Sequence, residues 1–255
     1  MRLNLFISKA GVASRRKADI LIKDGKVAVN AKVTREPFFS VEERDKVTVE
    51  EKLITLQKHI YVIFHKPCGV TTTLGDKFAS RKIIDFLPKE LKGVYHVGRL
   101  DKNSCGLIIL TNDGNLCYHL THPKFEIEKE YLVKVTGKIM TEVDCDKAKQ
   151  GIEDEGDFLK VKNIEILKQD KSRPFLQDIE KELDKNESFA KVIICEGKKR
   201  HLRRLFRGLG FTVKHLERVR IGRLKLGNLK QGEYRLIEKE KIYSLFNSCL
   251  PPACR

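Results

Sequence analysis

Apolar positions recur with a helical period at the start of the chain and with a strand period through much of the rest. Leu3, Phe6, Ile7 and Ala10 fall at i, i+3, i+4 and i+7, one face of a short helix, and Gly11 stands where a C-terminal cap belongs. Ser14 is placed to cap a second helix that turns Ala18, Leu21 and Ile22 inward and stops at Gly25. Val27 to Val33 then predicts a strand, a turn and a strand. A change of composition near residues 50–58 predicts a linker.

Tyr61-Val62-Ile63-Phe64 is an apolar strand, halted at His65-Lys66-Pro67-Cys68-Gly69-Val70, where Pro fixes φ and Gly permits a sharp turn. Gly98-Arg99-Leu100-Asp101 reads as a loop feeding a buried strand that reaches Leu110 and is ended by Asn112-Asp113-Gly114. Such a loop presents Asp101 at the lip of a cleft, although an Asp in that position also suits a turn cap or a pairing with Arg99. A helix is predicted from Asn115 to Leu120, and a half-buried strand from the alternation of Tyr131, Val133 and Val135. Helix 141–150, a strand near 159–167, a charged peripheral excursion at 169–188 and a last core strand at 190–195 follow. Leu202, Leu205, Phe206 and Leu209 stripe one face of a helix that stops at Gly210. Residues 238–255 carry little pattern, and no internal repeat is present.

Charge sharpens this picture. Among 255 residues, 51 Lys and Arg stand against 35 Asp and Glu, a net charge of +16 that points to a polyanionic partner, nucleic acid above all. The excess is concentrated. Residues 1–35 hold nine basic side chains against Asp19 and Asp24, with Arg15, Arg16 and Lys17 at the start of the second helix, where backbone N–H groups also favour phosphate. Residues 196–225 hold eleven against Glu196 and Glu217, among them Lys198, Lys199, Arg200, Arg203, Arg204 and Arg207, and would form a second RNA-contacting surface if they face one way.

The other features narrow the class. No apolar run approaches the ~20 residues that cross a bilayer, and the N-terminus lacks a signal-peptide core, so a soluble cytoplasmic protein without membrane contact is expected. Seven cysteines without a CxxC pair read as reduced thiols. Cys117, His119 and His122 form the only local grouping suggestive of a metal, and they lack the second paired cluster of a structural zinc site; neither metal nor cofactor is expected.

Gly98-Arg99-Leu100-Asp101, with Ser104-Cys105-Gly106-Leu107-Ile108-Ile109-Leu110-Thr111-Asn112-Asp113-Gly114, closely resembles the signature of pseudouridine synthases, in the branch that modifies ribosomal RNA and carries an N-terminal S4 module. Four further stretches are similar to that family in its own order. They are Ala13 to Asn30 for the S4 module, Lys66-Pro67-Cys68-Gly69, Lys129-Glu130-Tyr131, and Glu196 to Phe206, with His201 where the family usually has Gln; Leu216 to Gly222 and Leu229 to Leu236 complete the match. The resemblance implies an α+β fold: an S4 RNA-binding domain over 1–55, then a catalytic domain over 60–245 on a mixed, mostly antiparallel sheet. It implies Asp101, Tyr131 and Arg203 as the catalytic group, with Arg203 lying against Asp101 and holding it ionised, and adds Arg99 to the RNA-contacting cations. The implied substrate is a uridine of ribosomal RNA or of a ribosomal subunit assembly intermediate, flipped into the pocket of a monomeric enzyme, with a slight lean toward the large subunit. A non-catalytic S4-type RNA-binding protein is the alternative. An S4-containing methyltransferase would need a glycine-rich cofactor loop after a strand, which the chain lacks.

Overall fold

The computed structural model describes residues 1–76, 78–91, 93–167 and 186–246. The charged excursion predicted at 169–188 therefore lies outside the described residues, except for its end. Residues 1–59 with 89–94 make one compact unit, and residues 60–88 with 95–255 make the other.

In the first unit, α1 (Leu3–Lys9) and α2 (Arg15–Lys23) form as their periodicity predicts, and the Ser14 hydroxyl accepts from the Lys17 N–H at the start of α2. Both helices pack Leu3, Ile7, Ala18 and Ile22 against Val27 and Val47 of a small sheet. Its strands β1 (Val27–Val29), β2 (Lys32–Val33), β3 (Val47–Val49) and β4 (Lys52–Ile54) run in the order β2-β1-β3-β4. The predicted linker thus begins later than its composition suggests. Glu50 and Glu51 both take positive φ, 47° and 66°, and close a tight β3–β4 hairpin that neither residue type announces.

The second unit is built on a nine-stranded sheet, ordered β11-β12-β8-β13-β7-β5-β15, with β14 on β13 and β6 on β7. These strands are β5 (Tyr61–Lys66), β6 (Tyr95–Val97), β7 (Cys105–Thr111), β8 (Lys129–Thr136), β11 (Asn163–Leu167), β12 (Glu187–Ile194), β13 (Thr212–Ile221), β14 (Leu224–Lys225) and β15 (Tyr234–Leu236). Among the described residues only β13 and β7 pair in parallel within this sheet, which is mixed and mostly antiparallel. Gly106 makes that pairing possible: a Cβ there would collide with the Arg218 backbone. The hairpin of β9 (Ile152–Asp154) and β10 (Asp157–Leu159) stands apart as a two-stranded sheet.

Helices α3 (Gly114–Thr121), α4 (Glu142–Gln150), α5 (His201–Gly208) and α6 (Lys239–Ser244) cover the nine-stranded sheet in two apolar clusters. One cluster packs α4 and α5 on β8, β11 and β12; the other packs α3 and α6 on β5 and β7. Two sequence expectations are corrected here. The strand at 190–195 is not the last of the core: β13, ten residues long, lies between β8 and β7. The tail also has structure, since Ile242 and Phe246 are buried and the Tyr243 hydroxyl donates to Asp113 at 2.6 Å.

Candidate active site

The Asp101 loop is fixed residue by residue while its carboxylate stays free. Thr72 brackets Leu100, its hydroxyl donating to the carbonyl at 2.7 Å and accepting from the N–H at 3.3 Å. The Lys102 carbonyl accepts from the Gly69 N–H at 2.8 Å and from Lys66 Nζ at 3.3 Å. Lys66 is fully buried without a carboxylate partner among the described residues; its ammonium also donates to the Pro67 and Val70 carbonyls, and burial lowers its pKa to about 8. The Ser104 N–H closes the turn on the Asp101 carbonyl at 3.0 Å. The Asp101 carboxylate itself makes no hydrogen bond or ion pair among the described residues, and it lines a cleft of about 70 Å³ with Arg99, Ser104, Tyr131 and His201.

Tyr131 joins that cleft to a larger one. A cavity of about 300 Å³ shares Arg99, Tyr131 and Lys198 with it and adds the apolar walls Val97, Leu120 and Ile221. Two further cations reach this cavity. Arg218, buried in β13, donates from Nε to the Leu107 carbonyl at 2.8 Å and from Nη1 to the Tyr131 hydroxyl at 3.5 Å, while its Nη2 has no partner among the described residues. Lys129 donates to the Ile127 and Cys195 carbonyls, and burial, aided by the charge of Arg218, lowers its pKa to about 8. A flat polar ring fits between such walls, with donors at its edge.

Arg203 is near Asp101 but not against it. Its Nη2 donates to the Asn103 carbonyl at 2.6 Å and to Ser104 Oγ at 3.4 Å, and its Nη1 donates to the Val213 carbonyl at 3.1 Å. Burial pulls the guanidinium pKa down, and the charge of Asp101 opposes that. Arg203 therefore acts on the loop backbone, where the sequence led us to expect an ion pair. His201 is buried and donates from Nε2 to the Lys160 carbonyl at 2.9 Å, a bond that a Gln amide would also make.

The arginines of α5 do not share one outward face. Arg204 is buried: its Nε donates to Asp154 at 2.6 Å, its Nη1 to Asp157 at 2.7 Å and its Nη2 to the Asp154 carbonyl. Arg207, though exposed, pairs with Asp154 at 2.9 Å and Glu155 at 3.3 Å. The expected RNA contact of Arg204 is thus corrected to a structural one. Its acidic partners lie on the β9–β10 hairpin, far in sequence from the basic residues 196–225. Arg99, Lys199 and Arg200 are exposed, and Lys198 is half-buried, donating to the Phe158 carbonyl at 2.6 Å. In the first unit Arg15, Arg16 and Lys17 are all exposed in the opening turn of α2.

Lys66 and Arg218 escaped the sequence reading as site groups. The one available signal was a charged residue inside or ending an otherwise apolar strand, which periodicity assigns to solvent.

Comparison with known proteins agrees with this geometry. Residues 60–207 match the RNA pseudouridylate synthase family, and residues 1–47 match the S4 domain. The chain is 38% identical over 250 residues to an uncharacterized RNA pseudouridine synthase of Aquifex aeolicus, covering 97% of this chain and 94% of that one. It is 34% identical over 244 residues to ribosomal large subunit pseudouridine synthase B of Bacillus subtilis, covering 96% and 95%. A crystal structure of a pseudouridylate synthase superposes with a TM-score of 0.62 at 26% identity, over 96% of this chain and 99% of that one.

Proposed function

This chain belongs to the RNA pseudouridylate synthase family, and on that premise we propose that it converts a uridine of large-subunit ribosomal RNA to pseudouridine, with Asp101 as the catalytic carboxylate. The observation that carries this reading is the unpartnered Asp101 carboxylate, held by a loop whose carbonyls at Leu100, Asp101, Lys102 and Asn103 all accept hydrogen bonds, in the same cleft as Tyr131.

The reaction breaks the N1–C1′ bond, turns the uracil and joins C5 to C1′, so atoms and electrons balance within the substrate and one proton moves from C5 to N1. Asp101 meets the positive charge that develops at C1′, as nucleophile or as counter-charge. Tyr131 offers a face for the base to stack on, and its hydroxyl serves the C5 proton. A paired nucleotide is out of reach of so recessed a group, so the target enters flipped, with Arg99, Lys199 and Arg200 on the displaced strand. Residues 1–55 dock RNA through Arg15, Arg16 and Lys17, and residues 60–245 carry out the chemistry.

The likeness to the Bacillus subtilis enzyme supports the large-subunit target, either naked or in an assembly intermediate. Because one chain supplies Asp101, Tyr131 and Arg203, a monomer suffices, and an rRNA substrate supports a cytoplasmic location. A protein that only bound RNA would leave the free carboxylate in the cleft unexplained. The test is incubation with large- and small-subunit rRNA followed by carbodiimide treatment and primer extension. A new stop in the large-subunit RNA is expected, and no stop in either RNA would overturn the reading.

A further inference from the structure

We propose that Cys68, Cys105 and His215 bind a thiophilic divalent cation of the zinc class beneath the Asp101 loop. The three donors come from segments that the sheet brings together. Cys68 lies in the turn after β5, Cys105 opens β7 and His215 lies in β13, and β5, β7 and β13 are consecutive neighbours. The three ligand atoms lie within 4.8 Å of one another, with Cys105 Sγ 3.6 Å from His215 Nε2. Zinc bonds of about 2.3 Å to sulfur and about 2.05 Å to nitrogen, at a tetrahedral angle, set a sulfur–nitrogen edge of about 3.6 Å and a sulfur–sulfur edge of about 3.8 Å. The Cys105–His215 edge already has the bound length, and the two edges to Cys68, each at most 4.8 Å, close when Cys68 moves by roughly 1 Å. The register of β13 against β8 shifts between Val213 and His215, a bulge of the kind that re-aims a side chain.

Without an ion, weak bonds hold these groups. The Cys105 thiol donates to the Leu216 carbonyl at 3.7 Å, the Cys68 thiol donates to the Asn103 carbonyl at 3.5 Å, and His215 Nε2 lies 3.2 Å from Glu217 Oε2. Binding replaces the two thiol protons, which are released, and uses the neutral ring through Nε2. The buried Glu217 carboxylate then stands beside the cation. Cys68 is exposed, so the site has an entry path from solvent. A bound ion would tie the 66–70 turn to β7 and β13, directly under the Asn103 carbonyl that Arg203 also holds.

The test is titration of the reduced, chelator-treated full-length protein with Zn(II) against a chromophoric chelator, and with Co(II) followed by absorption. One equivalent is expected, with thiolate-to-cobalt charge-transfer bands and the intense visible bands of tetrahedral cobalt. Affinity should fall at least ~10-fold in Cys68→Ser and in His215→Gln, and stay unchanged when Cys249 and Cys254 are replaced by Ser. Cys68→Ser decides, because this exposed side chain can be changed with the fold intact by circular dichroism. Absence of binding, an octahedral cobalt spectrum, or unchanged affinity in Cys68→Ser would each overturn the site.

Discussion

Arg203 donates at 2.6 Å to the Asn103 carbonyl, two residues beyond Asp101, and makes no ion pair with the Asp101 carboxylate. The guanidinium positions the loop, and its charge reaches Asp101 through space. Arg203→Gln should therefore slow the single-turnover rate at saturating RNA by roughly 10- to 100-fold, about 1.4–2.7 kcal/mol in the barrier, and higher pH should not restore it. Arg207→Gln removes the same charge one helical turn away, where it pairs with Asp154 and Glu155, and should change the rate less than about twofold. Equal losses in both variants would defeat the positioning role.

Asp101→Asn keeps the shape of the side chain and removes the charge and the nucleophile. Product formation should vanish while RNA affinity stays within a few-fold. Tyr131→Phe keeps the stacking face but loses the hydroxyl to which Arg218 donates. Its rate should drop well below wild type, with the dissociation constant for RNA unchanged. If Tyr131→Phe turns over like wild type, the hydroxyl has no part in the proton transfer.

Arg204 separates a structural cation from an RNA-binding one. Arg204→Ala leaves the half-buried Asp154 carboxylate and its carbonyl without their main donor, so the thermal midpoint should fall by several degrees. RNA affinity measured well below that midpoint should hardly change. Asp154 and Asp157 have folded pKa values below the usual carboxylate range because Arg204 bonds them, so this stabilisation is present at neutral pH and is lost as pH falls through the acid range. A stable variant with weakened RNA binding would return Arg204 to the RNA surface.

The contrast between β8 and β13 shows what the sequence made legible. In β8, the buried Tyr131, Val133 and Val135 alternate with the half-buried Leu132, Lys134 and Thr136, and the strand can be read directly. In β13 the buried positions include Glu217 and Arg218, 1% and 2% exposed. A pattern argument places both in solvent, although His65, Leu107 and Tyr131 on other strands and His215 on β13 itself meet their polar atoms. Local signals likewise gave both N-terminal helices and their cap. The site's free carboxylate was legible as a loop before a strand, but its supports, Lys66 and Thr72, lie about thirty residues upstream and touch the loop only through backbone atoms. Contacts to carbonyls leave no trace in residue type. For the same reason the grouping of Cys68, Cys105 and His215 has no spacing to announce it.

The first unit offers a purely electrostatic test. Arg15, Arg16 and Lys17 are exposed, and none has a salt bridge among the described residues. Replacing all three by Gln should leave the circular-dichroism spectrum intact. The slope of log K against log salt should flatten by roughly 0.7–0.9 for each phosphate no longer neutralised, about 2–3 if all three engage RNA. An unchanged slope would mean that this turn of α2 faces away from the RNA.

Lys129 should tie RNA affinity to pH. It lines the larger cavity beside Tyr131, Arg218 and Lys198, with Glu196 the acidic side chain on that wall, and its folded pKa is about 8, below the ordinary lysine value of 10.5. Between those two values the unfolded chain binds the extra proton, so stability rises with pH across that window; below about 8 both states carry the proton and the full burial penalty is felt. Binding runs the other way. A phosphate or a uracil carbonyl in the cavity favours the ammonium, so affinity should fall as pH rises through about 8, and near pH 9 only about a tenth of the free enzyme would carry the charge. Lys129→Arg keeps its charge across this range and should flatten the profile, whereas Lys129→Met should bind weakly at every pH. Dissociation constants measured from pH 7 to pH 9.5 on unmodified rRNA decide the matter. Parallel profiles for the wild type and Lys129→Arg would show that the Lys129 ammonium does not meet the substrate.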